Sequence, residues 1–225
     1  MEPIGFRLRA WESWKSDHSA EKAGTIPALL RRRITPLGRQ ALSAAWALPE
    51  IANARFILSS RYGEFSRTLS LLESVTSGND LSPADFTLSV HHALIGLLSI
   101  VHGNRRGHTA VAAGRESFCF GLLEAIACLK ENPDELVVLI HFEEPLSGPF
   151  TVFNEPDEWP IALALAISAT GEGELLQLNI EASPLDERPS TSHAQNFLDF
   201  IISGSMESLS NGEYRQWRWK RHALD

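Results

Sequence analysis

The chain has 225 residues, 44% of them hydrophobic and 21% charged, the proportions of one globular domain with its own core rather than of a disordered, collagen-like or solenoid chain. Twenty lysines and arginines stand against twenty-eight aspartates and glutamates, and this formal charge of −8 argues against a general nucleic-acid binder, whose footprint is a basic excess. No run reaches the ~20 apolar residues that span a bilayer, and the first ten residues, with Glu2, Arg7 and Arg9, lack a signal-peptide core, so a cytoplasmic location is expected.

In chain order, residues 6–10 and 55–59 read as strands, and 65–75 as a helix on Phe65, Leu69 and Leu72. Ser82-Pro83-Ala84-Asp85 then supplies a capping hydroxyl, a proline at the first helical position and an early acid. The spacing of Phe86, Val90, Leu94, Leu97 and Val101 predicts one helix running to the stop at Gly103. His91 and His92 fall inside it. Adjacent helical residues point about 100° apart and cannot face one metal ion together, so satisfaction by backbone carbonyls or a partner chain is expected.

Residues 109–113 read as a short strand, Gly114 as a turn, and 115–130 as a helix with Phe118, Leu122, Ala125 and Ile126 on one stripe. This is the local arrangement of a nucleophile elbow or of an anion-binding helix start. The run 136–142, between the breaker Asn132-Pro133 and Pro145, is continuously apolar and predicts a strand buried on both faces. Residues 161–168 and 175–180 read as further strands, 183–192 as a loop, and the remainder as a helix on Phe197, Phe200 and Ile201 followed by a basic aromatic segment over 214–221. The expected fold is α/β and layered, a mixed sheet of about five strands flanked by helices. Residues 1–182 form the domain, and 183–225 are a linker, helix and tail packed on it or on a partner.

Cys119 and Cys128 lie nine residues apart in the helix, roughly 180° around its axis and about 13 Å along it, which excludes a disulfide or a two-cysteine zinc site between them. Reduced thiols follow. His141 and Glu143 share a strand face and could be drawn as a metal or acid–base cluster, but no other His or Asp stands at ligand spacing and a solvated strand end explains them as well. No metal and no cofactor is expected. Trp11, Trp14, Trp46 and Trp159 are read as core or interface, not as a cofactor box.

The stretch 81–93, Leu-Ser-Pro-Ala-Asp-Phe-Thr-Leu-Ser-Val-His-His-Ala, with Gly96, Ser99, Ile100, Gly103, Gly107 and the alanine-rich strand into Gly114, resembles the amino-terminal half of β-ketoacyl synthases. Arg31-Arg32-Arg33 with Leu37 and Ala41, the run Ser60-Arg61-Tyr62-Gly63-Glu64, and Gly121-Leu-Leu-Glu-Ala125 extend the resemblance over roughly 31–170. It is nearest to the short chain-length factors that accompany ketosynthases in aryl polyene and related type II polyketide pathways. The resemblance implies a thiolase-like fold truncated to about one half. In that family the strand-to-helix turn carries a cysteine, where the helix start favours a thiolate. Here the position falls within Ala113, Gly114, Arg115 and Glu116, and the chain ends soon after the half that would precede the catalytic histidines. His91, His92, His102, His108 and His141 do not match those positions.

The resemblance therefore implies a non-catalytic subunit paired with a full-length ketosynthase through the strand Thr109-Ala110-Val111-Ala112, with His91 and His92 nearby and Phe118 as a candidate tunnel wall that limits acyl chain length. Either of Arg115 and Glu116 could fill the vacated elbow, or the two could be an exposed pair complementing the helix dipole. Arg215, Arg218, Lys220 and Arg221, with Trp217 and Trp219, are candidates for docking an acidic acyl carrier protein, a transient partner; a solvated terminal segment is the plainer reading. The alternatives are a stand-alone metal-dependent hydrolase or transferase using His141 and Glu143, and a purely structural scaffold for the ketosynthase.

Overall fold

The computed structural model describes residues 3–15, 27, 31–155, 159–183, 189–190 and 192–222. Its strands are β1 (Ile4–Lys15), β2 (Arg55–Ser59), β3 (His108–Val111), β4 (Val137–Glu143), β5 (Ile161–Ser168), β6 (Glu174–Ala182), β7 (Glu207–Asn211) and β8 (Arg215–Arg221). The helices are α1 (Pro36–Trp46), α2 (Phe65–Thr76), α3 (Pro83–Leu88), α4 (Ala93–His102), α5 (Ser117–Glu131) and α6 (His193–Ser203). The strands form one mixed sheet in the order β3-β2-β4-β5-β1-β6-β8-β7. β3 and β4 run parallel to β2 on either side of it, and the other pairings are antiparallel.

The period-2 character of the central strands sorts the core into two layers. Along β5, Ile161, Leu163, Leu165 and Ile167 face α5 and α6, while Ala162, Ala164 and Ala166 face α1 and α4. Small residues on that second face meet Ala41, Ala44 and Ala45 of α1, so helix and sheet approach closely. The continuous burial of β4 and β5 follows from helices covering both faces. On the first face Gly121 of α5 lies over β2, where an added Cβ would stand 2.6 Å from the Ser59 Cβ.

Four expectations need correction. The sheet among the described residues has eight strands, not about five, and 6–10 is the centre of a twelve-residue strand. Helix α1, capped by the Thr35 hydroxyl on the Gly38 N–H, was not anticipated. The single helix expected over 83–103 is two: the Ser89 amide and hydroxyl both bond the Phe86 carbonyl, ending α3, and α4 restarts at Ala93. The segment 215–221 is a strand within the sheet, with Trp217 and Trp219 directed inward and fully buried. Of the loop expected over 183–192, residues 184–188 and 191 lie outside the described residues.

Candidate functional site: a strand-to-helix elbow at the sheet edge

β3 is an edge strand. Phe56 N–H bonds the Gly107 carbonyl and Ser60 N–H bonds the Val111 carbonyl, so the backbone groups of Gly107, Thr109 and Val111 face β2. By alternation those of His108, Ala110 and Ala112 face away from the sheet. Beside this open edge His92 stacks on His108, with centroids 6.3 Å apart and planes 28° apart. His91 turns the other way: its ring lies against Gly63, and its Nε2 is buried without a hydrogen-bond partner. Neither histidine lies within a helix. Both occupy the turn before α4, with His92 as its cap residue.

Beyond β3 the chain turns sharply at Gly114 (φ 59°), the left-handed conformation that glycine adopts at least cost. The Ser117 hydroxyl fixes the turn by accepting from the Ala113 N–H at 3.0 Å and donating to the Gly114 carbonyl at 2.6 Å. No cysteine stands here. Arg115 is exposed and forms an ion pair with Glu155, while Glu116 is buried, packed over Gly212, and faces Arg215 at 3.5 Å. The two are therefore not each other's partners, which corrects the exposed pair expected at the helix start. Cys119 and Cys128 point into the core, where burial, reinforced at Cys119 by the nearby Glu116 charge and at Cys128 by Glu124, pushes both thiols up. Neither thiol is available as a thiolate.

The elbow opens on a small cavity of about 30 Å³ whose wall includes Gly114, Arg115, Phe118, His141, Glu143 and His193. Phe118 is buried with its ring 5.4 Å from His141 and 5.3 Å from Phe197, so it faces this chain's own core and not the β3 edge. His141 Nδ1 lies 3.0 Å from the Ser59 hydroxyl. Burial lowers its pKa to about 3, with Ser59 opposing the shift and His193 adding to it. His193 is likewise buried, and its pKa is lowered to about 4. Both imidazoles are neutral at physiological pH.

The sequence offered no role for His193, and its neighbour in this cavity, His141, stands far from it in the chain. The readable signal was Ser192, which caps α6 by accepting from the Gln195 N–H and so places His193 in its first turn. His141 and Glu143 do share one wall. Among the described residues, however, no three His, Cys, Asp or Glu side chains gather where a metal ion could bind.

The basic residues of β8 are engaged. Arg215 faces Glu116, Arg218 pairs with Glu207 and Glu181, Lys220 pairs with Glu207, and Arg221 pairs with Glu174. Arg221 also donates to the Phe200 and Ile201 carbonyls at 3.1 Å, closing the end of α6.

The model of the beta-ketoacyl synthase N-terminal domain matches residues 8–220. The chain belongs to that family. The match extends well beyond 31–170 at both ends and takes in α6, β7 and β8. Among solved structures, the chain is similar to one in the complex of the ketosynthase ApeO with its chain length factor ApeC from Xenorhabdus doucetiae, with a TM-score of 0.83 and 23% identity over 97% of this chain and 100% of that one. It is also similar to a chain of AntDE:AntF, a type II polyketide synthase acyl-carrier protein in complex with its ketosynthase bound to the hexaketide (TM-score 0.63, 12% identity, 89% of this chain, 74% of that one). The ishigamide ketosynthase/chain length factor follows (TM-score 0.56, 11% identity, 83% and 66%). At these identities the likeness is one of fold. No curated protein matches the ketosynthase-like chain.

Proposed function

We propose that the chain is a non-catalytic ketosynthase-like subunit that pairs with an active β-ketoacyl synthase and limits acyl chain length in type II polyketide biosynthesis of the aryl polyene kind. The observation that carries this reading is an elbow at the end of an open edge strand that delivers no nucleophile, with both thiols held protonated in the core. An unpaired strand is an aggregation hazard unless another chain covers it, and covering it here would place a partner against β3. The turn before α4 reaches that edge through His92 on His108, and the exposed apolar side chains Phe86 and Val90 before α4 and Ile100 and Val101 along it suit a surface that is buried on pairing. With Phe118 turned inward, Phe86 and Val90 replace it as the side chains proposed to close the partner's acyl tunnel.

An acyl carrier protein would visit the complex transiently. Docking on Arg215, Arg218, Lys220 or Arg221 would have to compete with the acids already paired to them. No helix among the described residues is long and apolar enough to cross a membrane, and the proposed site of action is the cytoplasm. The test is co-expression with a genomically adjacent ketosynthase. A heterodimer should co-purify, and Ala110→Pro, which removes an outward N–H while leaving the β2 ladder intact, should release the partner without unfolding this chain. A chain that stays monomeric beside every ketosynthase offered would end the proposal.

A further inference from the structure

The segment that carries Phe86 is held by charge rather than by packing. Neither α2 nor α3 contains a buried residue, and α3, with six residues, is too short to persist in water on its own propensity. α2 is fastened at its start, where the Phe65 ring stands edge-on to Phe150 with centroids 5.1 Å apart. Further along, a cavity of about 390 Å³ opens between the two helices, with Ser70 and Ser74 of α2 and Ser82 and Asp85 at the start of α3 on its walls. Side-chain packing therefore does not fix where α3 lies.

One side chain spans the gap. The Arg67 guanidinium pairs through Nη1 with Asp85, and its Nη2 donates to the Arg33 carbonyl at 2.7 Å and faces Glu64 Oε2 at 3.5 Å. The buried Glu64 carboxylate also accepts from the Thr35 hydroxyl at 2.7 Å, and that hydroxyl caps α1, the helix packed on the sheet. A continuous polar chain, Thr35–Glu64–Arg67–Asp85, thus runs from the core to α3. Among the described residues the Arg67–Asp85 pair is the one hydrogen bond or ion pair that joins α3 to another element, since the other bonds of residues 82–89 are to their own neighbours.

The two ends of the pair differ. The Arg67 side chain is 13% exposed and pinned at the core, whereas that of Asp85 is 48% exposed and directly precedes Phe86. A partly exposed ion pair adds little to the stability of a whole domain. The same small free energy nonetheless decides between two positions of a segment that packing leaves free, because such a segment opens at little further cost.

We propose that Arg67 is a positioning residue for chain-length control: through Asp85 it fixes α3 and so sets how far Phe86 and Val90 project. Its role rests on the one already proposed for those two side chains, while Arg67 itself closes nothing. Releasing the pair lets α3 swing away, and products that would have met the Phe86 ring grow longer.

The assay is the product-length distribution of a ketosynthase reconstituted with carrier protein and this chain, read beside amide hydrogen exchange in the same complex. Asp85→Asn and Arg67→Gln should each raise the share of products longer than the wild-type length by about twofold to fivefold, the shift that one partly exposed ion pair can supply. Both should speed exchange over 83–90 and leave that of α5 unaltered. The two together should do no more than either alone, as expected for the two ends of one contact. In a Phe86→Ala/Val90→Ala background, Asp85→Asn should have no further effect on length. Should Arg67→Gln fail to fold for want of a cation beside Glu64, Asp85→Asn alone and in that background decides. Longer products from Phe86→Ala/Val90→Ala, with neither length nor exchange altered by Asp85→Asn, would overturn the role of Arg67 and leave that of the chain standing. A further lengthening by Asp85→Asn in the Phe86→Ala/Val90→Ala background would also overturn it, and no lengthening by Phe86→Ala/Val90→Ala itself would overturn both roles.

Discussion

Acidification from pH 7 to pH 5 is expected to weaken the fold through His141 and His193. Both are held far below the ordinary histidine value, at about 3 and about 4, because burial disfavours the imidazolium. The unfolded chain takes up these protons near pH 6.5 and the folded chain does not, so their contribution to stability is intact above about pH 6.5 and falls as the pH drops towards 4. At pH 5 each histidine lies about 1.5 pH units below its unfolded value and is still neutral when folded. That costs about 2 kcal/mol each, and about 4 kcal/mol together as an upper figure.

Glu64 and Glu144, whose carboxyls are raised by burial, act in the opposite sense, since protonation stabilises the folded form as the pH falls. The histidine contribution is therefore isolated by comparing the protein with a His141→Gln/His193→Gln variant. Urea unfolding at the two pH values gives the difference: the wild type should lose up to about 4 kcal/mol more than the variant, a large share of the ~5–15 kcal/mol typical of a domain. Equal losses in the two proteins, or no loss in the wild type, would refute the assignment of neutral buried imidazoles.

Three further outcomes follow from the packing. Gly121→Ala places a methyl group on Ser59 at the α5–β2 contact and should destabilise by about 1–3 kcal/mol, read from the urea midpoint. Trp219→Ala empties a fully buried position beside Phe197 and should cost about 3–5 kcal/mol, which shows that β8 belongs to the core. Arg221→Ala breaks the two carbonyl bonds at the end of α6 and should cost about 1.5–3 kcal/mol, whereas Arg218→Ala, whose pairs are at the surface, should cost less than about 1 kcal/mol.

The elements legible in the sequence are those whose signal is local. β2 and β5 have the boundaries that their apolar runs and flanking breaks imply, and α5 follows its stripe of Phe118, Leu122, Ala125 and Ile126. Helix α1 carries at Thr35-Pro36 the same cap-and-proline signal as Ser82-Pro83, but its inner face is built from alanines, whose weak hydrophobicity leaves little periodicity to find. The break at 89–92 is invisible for the opposite reason: apolar spacing continues from Val90 to Leu94 across a turn made by hydrogen bonds at Ser89. In 215–221 two tryptophans alternate with cations, a period-2 pattern that the charges masked until the acids facing them were in place. The proximity of His141 to His193 depends on α6 folding back over the sheet at β5, a long-range contact that no local pattern encodes.

The role proposed for this chain, which lacks a cysteine at its elbow, is to set where a partner's product stops. The most direct measurement is the product-length distribution of a ketosynthase reconstituted with carrier protein and either the wild-type chain or variants at the exposed apolar positions. Phe86→Ala should lengthen the products and Val90→Trp should shorten them, with the complex intact in both cases. A ketosynthase giving the same distribution with wild type, with either variant and with no added chain would contradict the account.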